Sequence, residues 1–215
     1  MHEEIIDIYD ENMTHIGYAP KKEAHKRGLW HKSIHCWLFN SVDSEKYVVI
    51  QKRAASKLLM PNYYDVSVAG HYEKGEKKSD GFREVWEEFG IKVPPNSWNY
   101  LGIKFDIGIS PNAINKEFCE VFFAEIHEHI HKFKLSKEEV DAVVFVRVED
   151  GLRLFSGETS SITASGIQWN KTRTDFEDAV FSIRKDEFIP RTDPYYARVF
   201  VLADLYFRGY KYLFI

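Results

Sequence analysis

The stretch Gly70–Ile91, GHYEKGEKKSDGFREVWEEFGI, decides how the rest of the chain is read. Gly70 and Gly75 with the polar run that follows describe a loop, and Ser79 or Asp80 can cap a helix running to Phe89 and stopped by Gly90. On that helix Glu84, Glu87 and Glu88 stand at i, i+3 and i+4, so three carboxylates share one face. Val85 and Phe89 form an i, i+4 pair directed to the core. Like charges at this spacing destabilise an isolated helix by about 0.2–0.5 kcal/mol per pair. Their clustering makes sense around a hard divalent cation, Mg²⁺ above all, which takes carboxylates together with substrate phosphates. The loop from Gly70 to Gly75 supplies backbone groups near such an ion. A bare Glu triplet is more often a solvated face, with Arg83 paired to Glu87. The flanking residues decide between the two.

Those flanks resemble the Nudix box, G-x5-E-x7-R-E-U-x-E-E-x-G-U, where U is bulky and apolar. Gly70, Glu76, Arg83, Glu84, Val85, Glu87, Glu88, Gly90 and Ile91 all match it. One departure stands out: six residues, not seven, separate Glu76 from Arg83. The deletion falls where the loop enters the helix and leaves the carboxylate spacing intact. The resemblance implies an α+β fold in which a mixed sheet is sandwiched between helices. It implies hydrolysis of a diphosphate linked to another moiety, dependent on Mg²⁺ or Mn²⁺. Glu84, Glu87, Glu88 and the Gly70 carbonyl would be metal ligands, one of the glutamates orienting or deprotonating the attacking water. Arg83 would hold the helix on the loop by pairing with a carboxylate. Bound divalent ions neutralise a diphosphate, lower the pKa of a bound water and stabilise the leaving oxygen.

Further out, the segment from Glu23 to His31, the strand over Ser33–Phe39 and Gln51-Lys52-Arg53 resemble the N-terminal half of isopentenyl-diphosphate isomerase-type Nudix proteins. That type carries histidines here, a Cys-x-His before the box and a Glu-x-Glu beyond it. The resemblance covers roughly residues 1–150 and implies a second metal site of His25, His31, His71 and Glu117, a donor set suited to Zn²⁺ or Mn²⁺. The isomerase cysteine is replaced by Ala69 and the first glutamate by Asn115. An alanine cannot exchange a proton. The chain therefore resembles an isomerase-like group that carries hydrolase machinery. Isomerase activity and a non-catalytic Nudix domain that binds a ligand or partner are the alternatives. Lys52, Arg53 and Lys57 follow a strand and could donate to substrate phosphates, Arg53 foremost through its bidentate guanidinium. A solvated basic loop is the equal alternative.

The remaining elements follow from pattern. Residues Ile5–Tyr9 and Ile16–Ala19 read as a hairpin, Lys21–Lys26 as a short helix stopped by Gly28, and Tyr47–Gln51, Asp65–Ala69, Tyr100–Phe105, Phe118–Ile126 and Ala142–Val148 as strands. The spacing of Ser136-Lys137-Glu138-Glu139 predicts a capped helical turn. Glu149–Phe155 reads as a helix, Ser156–Thr174 as a hydroxyl-rich loop, and the segment after Asp193-Pro194 as a last helix ending before Gly209. Its broad apolar surface means burial on most sides or a share in a homodimer, and a homodimer is expected. His127, His129 and His131 alternate at a strand end, where a solvated edge is favoured over a metal patch. Cys36 and Trp37 read as core.

With 215 residues, 44% of them apolar, the chain can build one large core. We expect a single domain over 1–215, with a core at about 30–150, a hairpin-like element at 1–29 and a packed extension at 151–215. A balance of 33 acidic against 29 basic side chains gives no bulk drive towards nucleic acid or membrane. The two cysteines fit a reducing compartment and the acidic N-terminus is unlike a leader, so a cytoplasmic location and a small-molecule diphosphate substrate are expected.

Overall fold

The computed structural model describes residues 4–42, 44–57, 59–110 and 113–215. A hairpin of β1 (Ile5–Tyr9) and β2 (His15–Pro20) leads into helix α1 (Lys21–Arg27). Long strands β3 (Trp30–Val42) and β4 (Glu45–Arg53) follow, then two short ones, β5 (Tyr64–Asp65) and β6 (Val68–His71). Helix α2 (Arg83–Phe89) precedes β7 (Asn99–Ser110), β8 (Ala113–Ile126) and β9 (Val140–Arg147). The chain ends with helix α3 (Val148–Ser156), strands β10 (Ser161–Trp169) and β11 (Phe176–Arg184), and helix α4 (Tyr195–Phe207).

Strand β3 is the axis. It pairs in parallel with β8 from His31↔Glu117 to Asn40↔Ile126, and antiparallel with β4, β6 and β1. Its side chains alternate between two cores. Trp37 and Phe39 join Val48, Ile50, Val144 and Val146 beneath α3 and α4, whereas Ile34, Cys36 and Leu38 join Val49, Val85 and Phe89 beneath α2. Such two-sided burial demands an apolar strand, and it yields the expected helix–sheet–helix sandwich. Helix α4 spends its broad apolar surface on this core: Tyr195, Tyr196, Val199, Phe200, Leu202 and Ala203 are all buried. Its breadth therefore supplies no separate argument for a dimer.

The strands β3 and β4 pair only from Phe39↔Val48 to Val42↔Glu45 and then diverge. Into the gap the chain inserts β5 against β4 and β6 against β3. Ser67, fully buried between the two short strands, closes the top of the gap. Its hydroxyl accepts from Leu38 N at 2.9 Å and donates to Val49 O at 2.5 Å, replacing a ladder bond where the strands part.

Several expectations need correction. The strand expected at Asp65–Ala69 is split at Val66–Ser67 by this insertion. The expected hydroxyl-rich loop Ser156–Thr174 contains strand β10, which pairs with β9 and β11 and widens the sheet. Its small residues hid an alternation in which Ile162, Ala164 and Gly166 are buried. The Ser136 segment makes a turn, Val140 N donating to Ser136 O at 2.9 Å, and goes straight into β9. The box helix begins at Arg83 rather than at Ser79 or Asp80, because a 3₁₀ turn over Asp80–Phe82 absorbs the missing residue. His127–His131 lie beyond the end of β8, and His131 sits in an exposed pair with Asp178. Gly28 and Gly90, both left-handed with φ of 65°, end α1 and α2 as expected.

Replacing Ser67 by Ala strands the buried Leu38 amide. The expected cost is about 1–3 kcal/mol, read as a drop in Tm of about 2–4 °C per kcal/mol in thermal unfolding followed by circular dichroism. An unchanged Tm would show that the hydroxyl bridge contributes nothing.

Candidate active site

Gly70 sits on β6 opposite Ile34, and Glu84 on the first turn of α2 lies directly over it. A Cβ at residue 70 would fall 2.3–2.4 Å from Cγ, Cδ and Oε1 of Glu84. Only glycine leaves room for that carboxylate against the backbone. One turn on, Glu88 is 4% exposed and accepts from Gln51 Nε2 at 3.2 Å. Glu87, the third carboxylate, points outwards with its side chain 55% exposed. Arg83 ties the motif together. Its Nε lies 3.1 Å from Glu76 Oε1 and 3.9 Å from Glu87 Oε1, Nη2 donates to Glu76 Oε2 at 3.3 Å, and Nη1 donates to Glu84. The shortened loop thus still brings Glu76 to Arg83.

The electrostatics of the two inner glutamates are unusual. Burial pushes the Glu84 carboxyl above its ordinary range, and the Arg83 guanidinium only partly opposes it. Burial and the neighbouring Glu84 push Glu88 well above its ordinary range, with Lys57 and Arg53 pulling weakly the other way. Two under-compensated carboxylates beside a backbone turn form an all-oxygen donor set, the kind a hard divalent cation takes.

His71, the next residue of β6, points to the opposite face. There the structure gathers His25 of α1, His31 of β3, His71 and Glu117 of β8, with one donor atom of each within 4.8 Å of the others. His71 Nε2 and His31 Nε2 lie 3.0 and 3.6 Å from Glu117 Oε1. His31 Nδ1 is held by Leu29 O at 2.9 Å, which orients Nε2 into the cluster. His25 Nε2 and His31 Nε2 are buried without a hydrogen-bond partner among the described residues. Burial, then the neighbouring His71 and His31, hold the His25 imidazole down at about 4. Burial pushes the Glu117 carboxyl up, but the nearby His31 and the hydrogen-bonded His71 outweigh it and leave it well below the ordinary range. Imidazoles converging on an ionised carboxylate suit a transition metal such as Zn²⁺ or Mn²⁺.

The phosphate candidates fare unevenly. Arg53 is occupied: Nε and Nη2 donate to the carbonyls of Met60 and Leu59, both at 3.1 Å, and Nη1 lies 3.7 Å from Asp65. Lys57 is paired with Glu139. Both still face Glu88 electrostatically. Lys52 alternates away from Gln51 and Arg53 and rests over the Tyr64 ring at 5.6 Å, so the structure does not bring it to the carboxylates. Two features escaped the sequence. Lys21, the first residue of α1, is paired with Glu4 at 2.8 Å, and its charge acts on His25, His71 and Glu84. Arg191, just before α4, is buried between Asp65 at 2.8 Å and Asp106, and Tyr196 donates to the same Asp65 oxygen at 2.9 Å. Neither residue lies in a motif, and only the folded chain brings them in.

The NUDIX domain profile matches residues 29–163, and with more than half the chain covered the protein belongs to the Nudix family. An uncharacterised Nudix hydrolase of Clostridium acetobutylicum is 34% identical over 197 residues, covering 91% of this chain and 95% of that one. Isopentenyl-diphosphate Delta-isomerase 1 of Photorhabdus laumondii is 28% identical over 149 residues, 68% of this chain and 81% of that one. A crystal structure of a Deinococcus radiodurans protein, DR0079, shares the fold at a TM-score of 0.54 and 21% identity, covering 72% of this chain and 90% of that one. Hydrolysis of a diphosphate is the general activity of the family, and the protein is a pyrophosphohydrolase of that kind.

The Arg191–Asp65 pair fastens the segment before α4 to the inserted strand β5. Asp65→Asn leaves the buried guanidinium half-matched and is expected to cost about 3 kcal/mol at pH 7. Burial raises the Asp65 carboxyl, but Arg191 and Arg53 outweigh it and hold the pKa below the ordinary value. Its contribution is therefore complete above about pH 4 and is lost as pH falls through the lower folded value. Urea titrations at pH 7 and in acid check this: the gap between wild type and variant should narrow in acid, and a constant gap would assign the loss to packing.

Proposed function

We propose that the protein hydrolyses the diphosphate linkage of a nucleoside diphosphate derivative or a related organic diphosphate in a Mg²⁺- or Mn²⁺-dependent reaction. The observation that carries this reading is the close seat of Glu84 on Gly70 next to the buried, poorly compensated Glu88. The Gly70 carbonyl, Glu84 and Glu88 would hold the ion, with Glu87 reaching in from the rim. When bound, the ion supplies charge neutralisation of the diphosphate and an acidified water. Glu88 has one carboxylate oxygen held by Gln51 and the other without a hydrogen bond among the described residues. Its buried carboxylate would take the proton of the attacking water at Oε1. Arg83 keeps Glu84 and the loop in register. Lys21, paired with Glu4, adds positive charge that acts on Glu84. The cluster of His25, His31, His71 and Glu117 would hold a second metal on the other face of β6. Ala69, opposite His35, offers only a methyl group where a proton-transferring side chain would be needed for isomerisation.

Assays of phosphate release from nucleoside diphosphate derivatives, dinucleoside polyphosphates and prenyl diphosphates test the reading. Glu84→Gln and Glu88→Gln should each lower kcat by roughly 100-fold or more, with far-ultraviolet circular dichroism unchanged. Gly70→Ala, which forces Glu84 off its seat, should lower activity at least about tenfold. Undiminished turnover in both glutamine variants would remove the carboxylates from the mechanism.

A further inference from the structure

Glu117 has two carboxylate oxygens that face different neighbours. Oε1 belongs to the three-histidine cluster. Oε2 accepts from Ser33 Oγ at 3.0 Å and from Cys119 Sγ at 3.4 Å. Beyond it lies a second group: one nitrogen of His35, a Glu117 oxygen and Cys119 Sγ are all within 4.8 Å of one another. The pleat explains the meeting. His35 and Ser33 lie two apart on β3, Cys119 and Glu117 two apart on β8, and Ser33 registers with Cys119. All three residues are buried, at 3%, 7% and 0% exposure.

The hydroxyl of Tyr195 lies 2.9 Å from His35 Nδ1 and also 2.9 Å from Trp37 Nε1. The Tyr195 oxygen takes the Trp37 N–H, and its hydrogen bond with His35 Nδ1 fixes the imidazole ring, so Nε2 is the ring nitrogen that Tyr195 does not engage. This is the orienting arrangement that metal-bound histidines use. An imidazole, a thiol and a carboxylate sealed from water form a costly interior as separate groups. Around a divalent ion they become one unit in which thiolate and carboxylate cancel the ion's charge.

We infer that His35, Cys119 and the Oε2 side of Glu117 form a sulfur-containing metal pocket behind the three-histidine cluster, with Glu117 as the shared wall. The ion it takes is a thiophilic divalent one of the Zn²⁺ or Co²⁺ class. Binding replaces the Cys119 S–H with an S–metal bond, and the proton leaves to solvent. The inference does not rest on hydrolysis, and its readout is separate from turnover.

Cobalt tests it, because a thiolate bound to Co²⁺ gives a sulfur-to-metal charge-transfer band in the near ultraviolet that imidazole and carboxylate ligands do not give. The chain has only two cysteines, and Cys36 faces the opposite core. Full-length protein is produced in Co²⁺-supplemented medium as wild type, Cys36→Ser, Cys119→Ser and His71→Ala, and cobalt is counted per chain. The expected result is the band in wild type and Cys36→Ser, its loss with one cobalt fewer in Cys119→Ser, and its survival in His71→Ala. Absence of the band in wild type overturns the proposal whatever the variants do. Survival of the band in Cys119→Ser also overturns it, and loss in His71→Ala assigns the thiol to the three-histidine cluster and removes the separate pocket.

Discussion

The hydroxyl of Ser67 holds open the gap from which the site is built. Sheets close because unpaired backbone groups in the interior are costly. Strands β3 and β4 can part only if another group takes the ladder bond at the point of divergence. Ser67 does so with one donor and one acceptor, between Leu38 N and Val49 O. Everything chemical lies below that point. The parted strands admit β6, and β6 presents consecutive residues to opposite faces. Gly70 meets Glu84 on one side, and His71 meets His25, His31 and Glu117 on the other. Two donor sets of different chemistry are thereby separated by the thickness of one strand.

Local motifs were legible to the extent that their geometry is local. The spacing of Glu84, Glu87 and Glu88 and the stop at Gly90 depend on one helix and one loop. The sequence exposed them even with a residue missing, because a 3₁₀ turn has the slack to absorb it. The histidine set was reachable only through family resemblance, since its members come from four elements and no spacing links residue 25 to residue 117. Lys21 and Arg191 were out of reach, because a lone cation at an element's edge carries no pattern. The β10–β11 hairpin was missed for a compositional reason. Ser, Thr, Ala and Gly dominate β10, and an alternation between small residues looks like a loop until a neighbouring strand covers it.

Charge placement separates the scaffold from the site. In the scaffold, buried charge is matched: Asp65 and Asp106 share Arg191, and Lys104 sits 2.7 Å from Asp106. At Glu84 and Glu88 the interior holds more carboxylate than cation, and both are pushed towards their protonated forms. A fold that matches acids so closely at Asp65 leaves Glu84 only partly offset by Arg83, and Glu88 without an ion pair among the described residues, a charge deficit that a divalent ion can fill. The histidine cluster differs in kind. It offers imidazole nitrogens and one carboxylate that stays ionised, so it asks for a ligand-hungry metal more than for charge. Glu117 is common to that cluster and to the thiol group behind it, so the hydrogen bonds from Ser33 and Cys119 do more than satisfy an oxygen. By occupying Oε2 they fix which lone pairs Oε1 turns towards His31 and His71. The state of the sealed thiol is thus coupled to the histidine side through a single rigid carboxylate.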